Sequence, residues 1–158
     1  MDRPWALYDQ LQSVAVYYDE GISLHGFAVG QSAGNLAPHS EVDLRDHRPL
    51  WVALQWQTAP ELEIDFSISL RLHKADGDLV FQEDFVLTNS VRAPTSHWSP
   101  DESVDTFFYF DLPADFQPGE YDLRLVVYDF ETQKPTVELG VWEPELTLTR
   151  LPVAADQQ

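Results

Sequence analysis

The sequence predicts an all-β fold: a two-sheet antiparallel β-sandwich, immunoglobulin-like or jelly-roll-like, with seven to nine strands. Three observations carry this. Apolar and polar residues alternate through most of the chain, the period of a strand with one buried face. Aromatic residues make up 13% of the chain and methionine occurs once, a composition that favours strands over helices. Clusters of Gly, Pro, Asn and Asp interrupt the alternation at roughly regular intervals, as sandwiches require.

Residues 1–12 read as an N-terminal arm. Residues 13–18 form a first strand with Val14, Val16 and Tyr18 on one face. Asp19-Glu20-Gly21 turns the chain into a second strand over 22–29, with Ile22, Leu24 and Ala28 on one side. From 30 to 48 the alternation lapses into a loop, with a short strand at 41–44. Residues 50–58 alternate again: Leu50, Val52, Leu54 and Trp56 form one row, Trp51, Ala53, Gln55 and Gln57 the other.

Residues 64–73 are the clearest strand. Phe66, Ile68, Leu70 and Leu72 face one way; Ser67, Ser69, Arg71 and His73 face the other. Asp76-Gly77 then marks a hairpin, because Asp-Gly takes positive φ at low cost, and 79–87 is the return strand. The polar connection 89–103 carries Pro94 and Pro100. Residues 104–112 follow with Val104, Thr106, Phe108, Phe110 and Leu112 inward. Pro118-Gly119 turns into 120–128, whose core row is Tyr121, Leu123, Leu125 and Val127. Residues 137–142 and 145–151 supply one or two last strands, and 152–158 are a flexible tail. The long connections 30–48 and 88–103 favour a sandwich over a closed barrel, because each can cross between sheets.

The chain of 158 residues fits one domain, with a core over about 13–151. Asp and Glu total 27 against 9 Lys and Arg, a formal charge of −18. Nucleic acid is thereby excluded as a partner, since phosphates demand Lys and Arg. Anionic lipid surfaces are disfavoured for the same reason. Cys is absent, which removes disulfides, zinc–thiolate sites and a cysteine nucleophile. No apolar run approaches a membrane helix of roughly 18 residues, so direct membrane insertion is not expected. The N-terminus lacks the basic flank and apolar run of a signal peptide. The chain is thus expected to be cytoplasmic or a domain of a longer protein.

Several motifs gain meaning as an ordered set. They are Val52-Ala53-Leu54-Gln55-Trp56-Gln57, then Asp65-Phe66-Ser67-Ile68-Ser69-Leu70-Arg71-Leu72 running into Asp76-Gly77-Asp78-Leu79-Val80. Pro94-Thr95 with Trp98 and Pro100, Leu112-Pro113, Pro118-Gly119-Glu120-Tyr121 and Val127-Tyr128-Asp129 follow. In this order, over about residues 20–150, they resemble the C-terminal extracytoplasmic β-sandwich domain of bacterial membrane glycosyltransferase-like proteins of the protein mannosyltransferase type. Asp101 departs from the pattern, where a glycine follows the proline. The resemblance implies a sandwich, an accessory role and an extracytoplasmic location in the cell envelope. It implies no catalytic residue, since in such proteins the chemistry belongs to the membrane part.

The residues themselves point away from catalysis. The histidines His25, His39, His47, His73 and His97 show neither the i, i+4 spacing of a helical zinc site nor His-x-His on a strand. His39 and His47 share a polar loop with Glu41, Asp43 and Asp46, which reads as solvated. No nucleophile elbow or phosphate-cradling glycine loop is present. Asp76, Asp78, Glu83 and Asp84 surround the hairpin but lack the ligand alternation of a calcium loop. No metal or cofactor is expected.

Outward aromatics are the best binding signal. Trp51, Phe107, Tyr109 and Tyr128 fall on outward rows, where flat rings serve protein contacts or sugar stacking. The leading expectation is a non-enzymatic accessory or interaction domain. Its partner is the rest of a larger membrane protein or another protein. The alternative is a carbohydrate-binding module in which these four aromatics form one exposed platform. A hydrolase ranks third and needs a cleft with two carboxylates, or an Asp and a His, in mutual reach.

Overall fold

The computed structural model describes residues 11–31, 50–110, 119–138 and 145–153. Eight strands run through them: β1 (Gln12–Tyr17), β2 (Ile22–Gln31), β3 (Leu50–Thr58), β4 (Phe66–Lys74), β5 (Leu79–Val86), β6 (Val104–Phe110), β7 (Gly119–Asp129) and β8 (Glu145–Val153). One four-stranded sheet has the order β1-β2-β3-β6 and the other β5-β4-β7-β8. Every described strand pair is antiparallel. This is the two-sheet antiparallel sandwich that the alternation predicts.

The inner rows of the central strands make the core. Leu50, Val52, Leu54 and Trp56 of β3 are fully buried, as are Phe66, Ile68, Leu70 and Leu72 of β4. Tyr121, Leu123, Leu125 and Val127 of β7 complete the layer. Each such side chain contributes about 1.5–3 kcal/mol by leaving water, which makes the inner rows the main stabilising term. Trp56 brings a polar atom into the core. Its Nε1 donates to Thr106 Oγ1 at 3.0 Å, and Thr106 Oγ1 donates to the Leu54 carbonyl at 3.0 Å.

Turn chemistry matches the sequence at both described hairpins. Gly77 sits at φ +102° between β4 and β5, and Gly21 at φ +102° between β1 and β2. Asp76 Oδ1 accepts from the Asp78 N–H at 3.0 Å, closing the β4–β5 turn.

Two features differ from the sequence reading. Ala28 faces outward, against Trp51 and Ala53, while Phe27 and Val29 join the core. The cause is a bulge between Leu24 and Gly26, which inserts His25 and flips the phase of the strand. The strands on either side of residues 32–49, β2 and β3, are neighbours in one sheet rather than members of different sheets. The 87–103 connection does cross, from β5 in one sheet to β6 in the other.

That crossing is pinned to β4. Thr95 is fully buried; its Oγ1 accepts from the Phe66 N–H at 2.9 Å and donates to the Ile64 carbonyl at 2.7 Å. Trp98 Nε1 donates to the Ala93 carbonyl at 2.8 Å. Of the strand expected over 137–142, the described start bridges Tyr18 through Glu138. The expected short strand at 41–44, the turn over 113–118 and most of the arm and tail lie outside the described residues.

Candidate functional site

Each sheet presents an outward face. On the first sheet, β3 sends Trp51 and Ala53 outward between Ala28 and Gly30 of β2 and Phe107 and Tyr109 of β6. The Phe107 ring stacks on Trp51 with centroids 5.5 Å apart and planes 21° apart. Tyr109 meets Phe107 edge-on at 4.8 Å. Alternation thus places Trp51 on the outward row, but it is 0% exposed. Gly30 opposite it has no side chain, so the indole lies down against the backbone of β2. Leu11, from the end of the arm, packs on the same patch. Phe107 and Tyr109 remain half-buried, and burial pushes the Tyr109 phenol above its ordinary value.

Tyr128 does not join this group. It lies on β7 in the other sheet, opposite Ser67 of β4. The structure therefore brings together Trp51, Phe107 and Tyr109 and separates Tyr128 from them. The single platform of four exposed rings does not form.

The second sheet's outward face is charged. Its central rows are Ser67, Ser69, Arg71 and His73 on β4 against Tyr128, Val126, Arg124 and Asp122 on β7. Arg71 and Arg124 are direct cross-strand partners. Like charges in that position repel, and here Glu145 of β8 lies between them. Its Oε2 is 3.4 Å from Arg71 Nη1, and its Oε1 is 3.3 Å from Arg124 Nη1. His73 Nε2 lies 2.9 Å from the same Oε2.

The network continues along β7 and β8. Asp122 Oδ2 is 3.3 Å from Arg124 Nη2, and its Oδ1 accepts from Arg150 Nε at 3.0 Å. Arg150 Nη1 pairs with Glu120 at 3.3 Å. Three guanidinium groups thus face three carboxylates, and the layer is close to neutral within a protein of charge −18. Arg71 Nε is anchored on Ser69 Oγ at 3.0 Å, and the His73 Nδ1–H donates to the Gly77 carbonyl at 2.9 Å. Arg124 Nε is buried without a hydrogen-bond partner. Tyr128 stands at the end of this layer; burial pushes its phenol up, and the Asp84 carboxylate adds to that. Ser67 and Ser69 form a low, buried floor beneath the longer side chains.

The comparisons bear on the fold. No family model matches the chain, and no curated protein matches it. Among solved structures it is similar to one described as the crystal structure of the C-terminal domain of Wzt. The TM-score is 0.56 at 13% identity, over 93% of this chain and 82% of that one. At that identity the likeness establishes the β-sandwich and nothing finer.

One further concavity, of about 370 Å³, opens at an end of the sandwich, lined by Glu63, Ile64, Asp65, Asp129, Phe130 and Glu131. Two of its carboxylates do structural work: Asp65 Oδ1 accepts from the Ser96 N–H, and Asp129 Oδ1 from the Glu131 and Thr132 N–H groups. No histidine lines it. Among the described residues no group of three or more His, Asp or Glu side chains is placed to hold a metal. Around the hairpin, Glu83 pairs with Leu70 and Asp84 with Ser69, so the two carboxylates point to opposite faces of β5. His39, His47, Glu41, Asp43 and Asp46 lie outside the described residues.

Sequence reasoning missed the charged layer. Its signal was present as two outward rows, each with an arginine near its middle. Only the β4–β7 pairing shows that they share one surface.

Proposed function

We propose that this chain is a non-enzymatic recognition domain that binds neutral glycan on the outward face of β5-β4-β7-β8. The observation that supports this is the near-neutral layer of alternating donors and acceptors built from Arg71, Arg124, Asp122 and Glu145. Such a layer suits vicinal hydroxyls, each of which donates and accepts at once. Arg71, Arg124 and Asp122 stand on the central strands β4 and β7 and Glu145 opens the edge strand β8, so their geometry is set by the sheet rather than by a loop. Tyr128 supplies a ring at the end of the layer for a sugar face. The test is a glycan array carrying neutral hexose, amino-sugar and uronate oligomers. It is followed by titration calorimetry with the best neutral hit on the natural protein and on Arg124→Ala. Binding lost in the variant supports the reading; no neutral glycan bound at millimolar concentration overturns it.

The domain works as an accessory part of a larger protein of the cell envelope in this reading, with the ordered motifs as support. A separate seating surface is favoured by the half-buried Phe107–Tyr109 pair, which rests on the rigid Trp51. Its partner is the remainder of that larger protein. Protease accessibility of the natural full-length protein in intact cells tests the location: cleavage from outside is expected, and protection overturns it.

A further inference from the structure

We infer that Glu145 fills an anion seat formed by Arg71 and Arg124, and that this filling makes the glycan face reject acidic sugars. The inference rests on the glycan reading for its ligand and on the ion-pair geometry for the seat itself.

Two guanidinium groups set directly opposite each other across β4 and β7 define a place for a carboxylate between them. In this fold the carboxylate comes from the chain, from the first residue of the edge strand β8. Both of its oxygens are taken: Oε1 faces Arg124 Nη1, and Oε2 faces Arg71 Nη1 and His73 Nε2. The guanidinium contacts, 3.3 and 3.4 Å, are longer than the 2.7–2.9 Å of a tight charge-assisted pair. Glu145 therefore satisfies the two arginines loosely, and Arg124 Nε and His73 Nε2 are left with no hydrogen-bond partner. A ligand carboxylate arriving here meets an occupied seat and a like charge. A neutral sugar meets no such penalty and uses the donors and acceptors around the rim. Glu145 is thus a specificity-determining residue that excludes uronates and other acidic sugars.

Vacating the seat exposes it. In Glu145→Ala the two guanidinium groups face an open position of carboxylate size. Acetate, added at ionic strength matched with chloride, is expected to raise the melting temperature of Glu145→Ala and to leave the natural protein unmoved. Glucuronate binding, undetected in the natural protein, is expected to appear in Glu145→Gln at least about tenfold tighter, a gain of about 1.4 kcal/mol. The glutamine variant preserves the side chain's length and keeps the test open where Glu145→Ala does not fold. A folded variant that gains neither acetate-specific stabilisation nor glucuronate binding overturns the inference, as does a natural protein that already binds glucuronate as well as neutral sugar. The acetate arm needs no glycan, so its success alongside failed neutral-glycan binding removes the glycan reading and leaves the seat standing.

Discussion

The indole of Trp51 lies against the backbone of Gly30, its cross-strand partner: a Cβ added at Gly30 would sit 2.3 Å from Trp51 Cζ2 and 2.5 Å from Cε2. Gly30 is not among the glycines at positive φ, so the requirement for glycine here is steric. Gly30→Ala must push a buried indole out of its place. The expected cost is about 1–3 kcal/mol, the range for overpacking a filled interior. Trp51→Phe removes the ring atoms that clash, so in the double variant most of the Gly30→Ala penalty should vanish. Urea denaturation of the four proteins measures this as a coupling above roughly 0.5 kcal/mol. Strict additivity would place the indole elsewhere.

Thr95 ties the crossing between sheets to β4 through one hydroxyl. Thr95→Val keeps the shape and removes both bonds, to the Phe66 N–H and the Ile64 carbonyl. Leaving buried groups unpaired costs about 1–3 kcal/mol each, while Thr95→Ser keeps the hydroxyl. The valine variant should therefore melt well below the natural protein and the serine variant close to it. Equal melting of the two would mean that the hydroxyl contributes nothing.

These two sites mark how far the sequence reaches. Alternation identified the inner rows of β3, β4, β6 and β7, because a strand with one wet face has no other way to arrange apolar residues. It also placed Trp51, Phe107 and Tyr109 on outward rows. It could not see that Trp51 is covered, since that depends on a glycine one strand away in the sheet. It placed Ala28 inward because a bulge changes phase without a strong local signature. The charged layer was beyond reach for a related reason. Arg71 and Arg124 are 53 positions apart, and their contact with Glu145 follows from a register shift between β7 and β8 at Leu123/Arg124.

Glu20 offers a pH signature. Burial pushes its carboxyl above the ordinary value, with the nearby charges of Asp19 and Asp129 adding to this and Lys134 opposing it. Folding therefore raises this group's affinity for a proton. Its stabilising contribution is fully present below the unfolded value and is lost as pH rises through the raised one. At neutral pH the charged Glu20 costs stability relative to an uncharged glutamine. Glu20→Gln should thus melt above the natural protein at pH 7, and the difference should close as the pH falls below the ordinary carboxylate range. Glu20 is exposed, so solvent screening keeps the effect small. It should stay under the roughly 2–4 °C that 1 kcal/mol makes in a domain of this size. A difference that widens in acid contradicts the assignment.

The two outward faces can be told apart by substitution. If glycan binds at the charged layer, Arg124→Ala removes donors to Glu145 and Asp122 and unbalances the layer. Hydrogen bonds to charged groups are worth about 1.5–3 kcal/mol, so affinity for a neutral glycan should fall at least about tenfold. Arg124→Lys restores the charge but not the planar fork, and it should recover little of the loss. Phe107→Ala and Tyr109→Ala lie on the other sheet and should leave glycan affinity within about twofold, a change of under roughly 0.5 kcal/mol. They should instead weaken attachment to the rest of the larger protein, read as co-purification of the separately expressed parts. The reverse pattern, with glycan affinity lost on Phe107→Ala and kept on Arg124→Ala, would move the ligand to the aromatic face. Trp51→Phe then separates stacking from simple coverage on that face: it preserves a ring beneath Phe107 and should leave a contact made by Phe107 and Tyr109 intact.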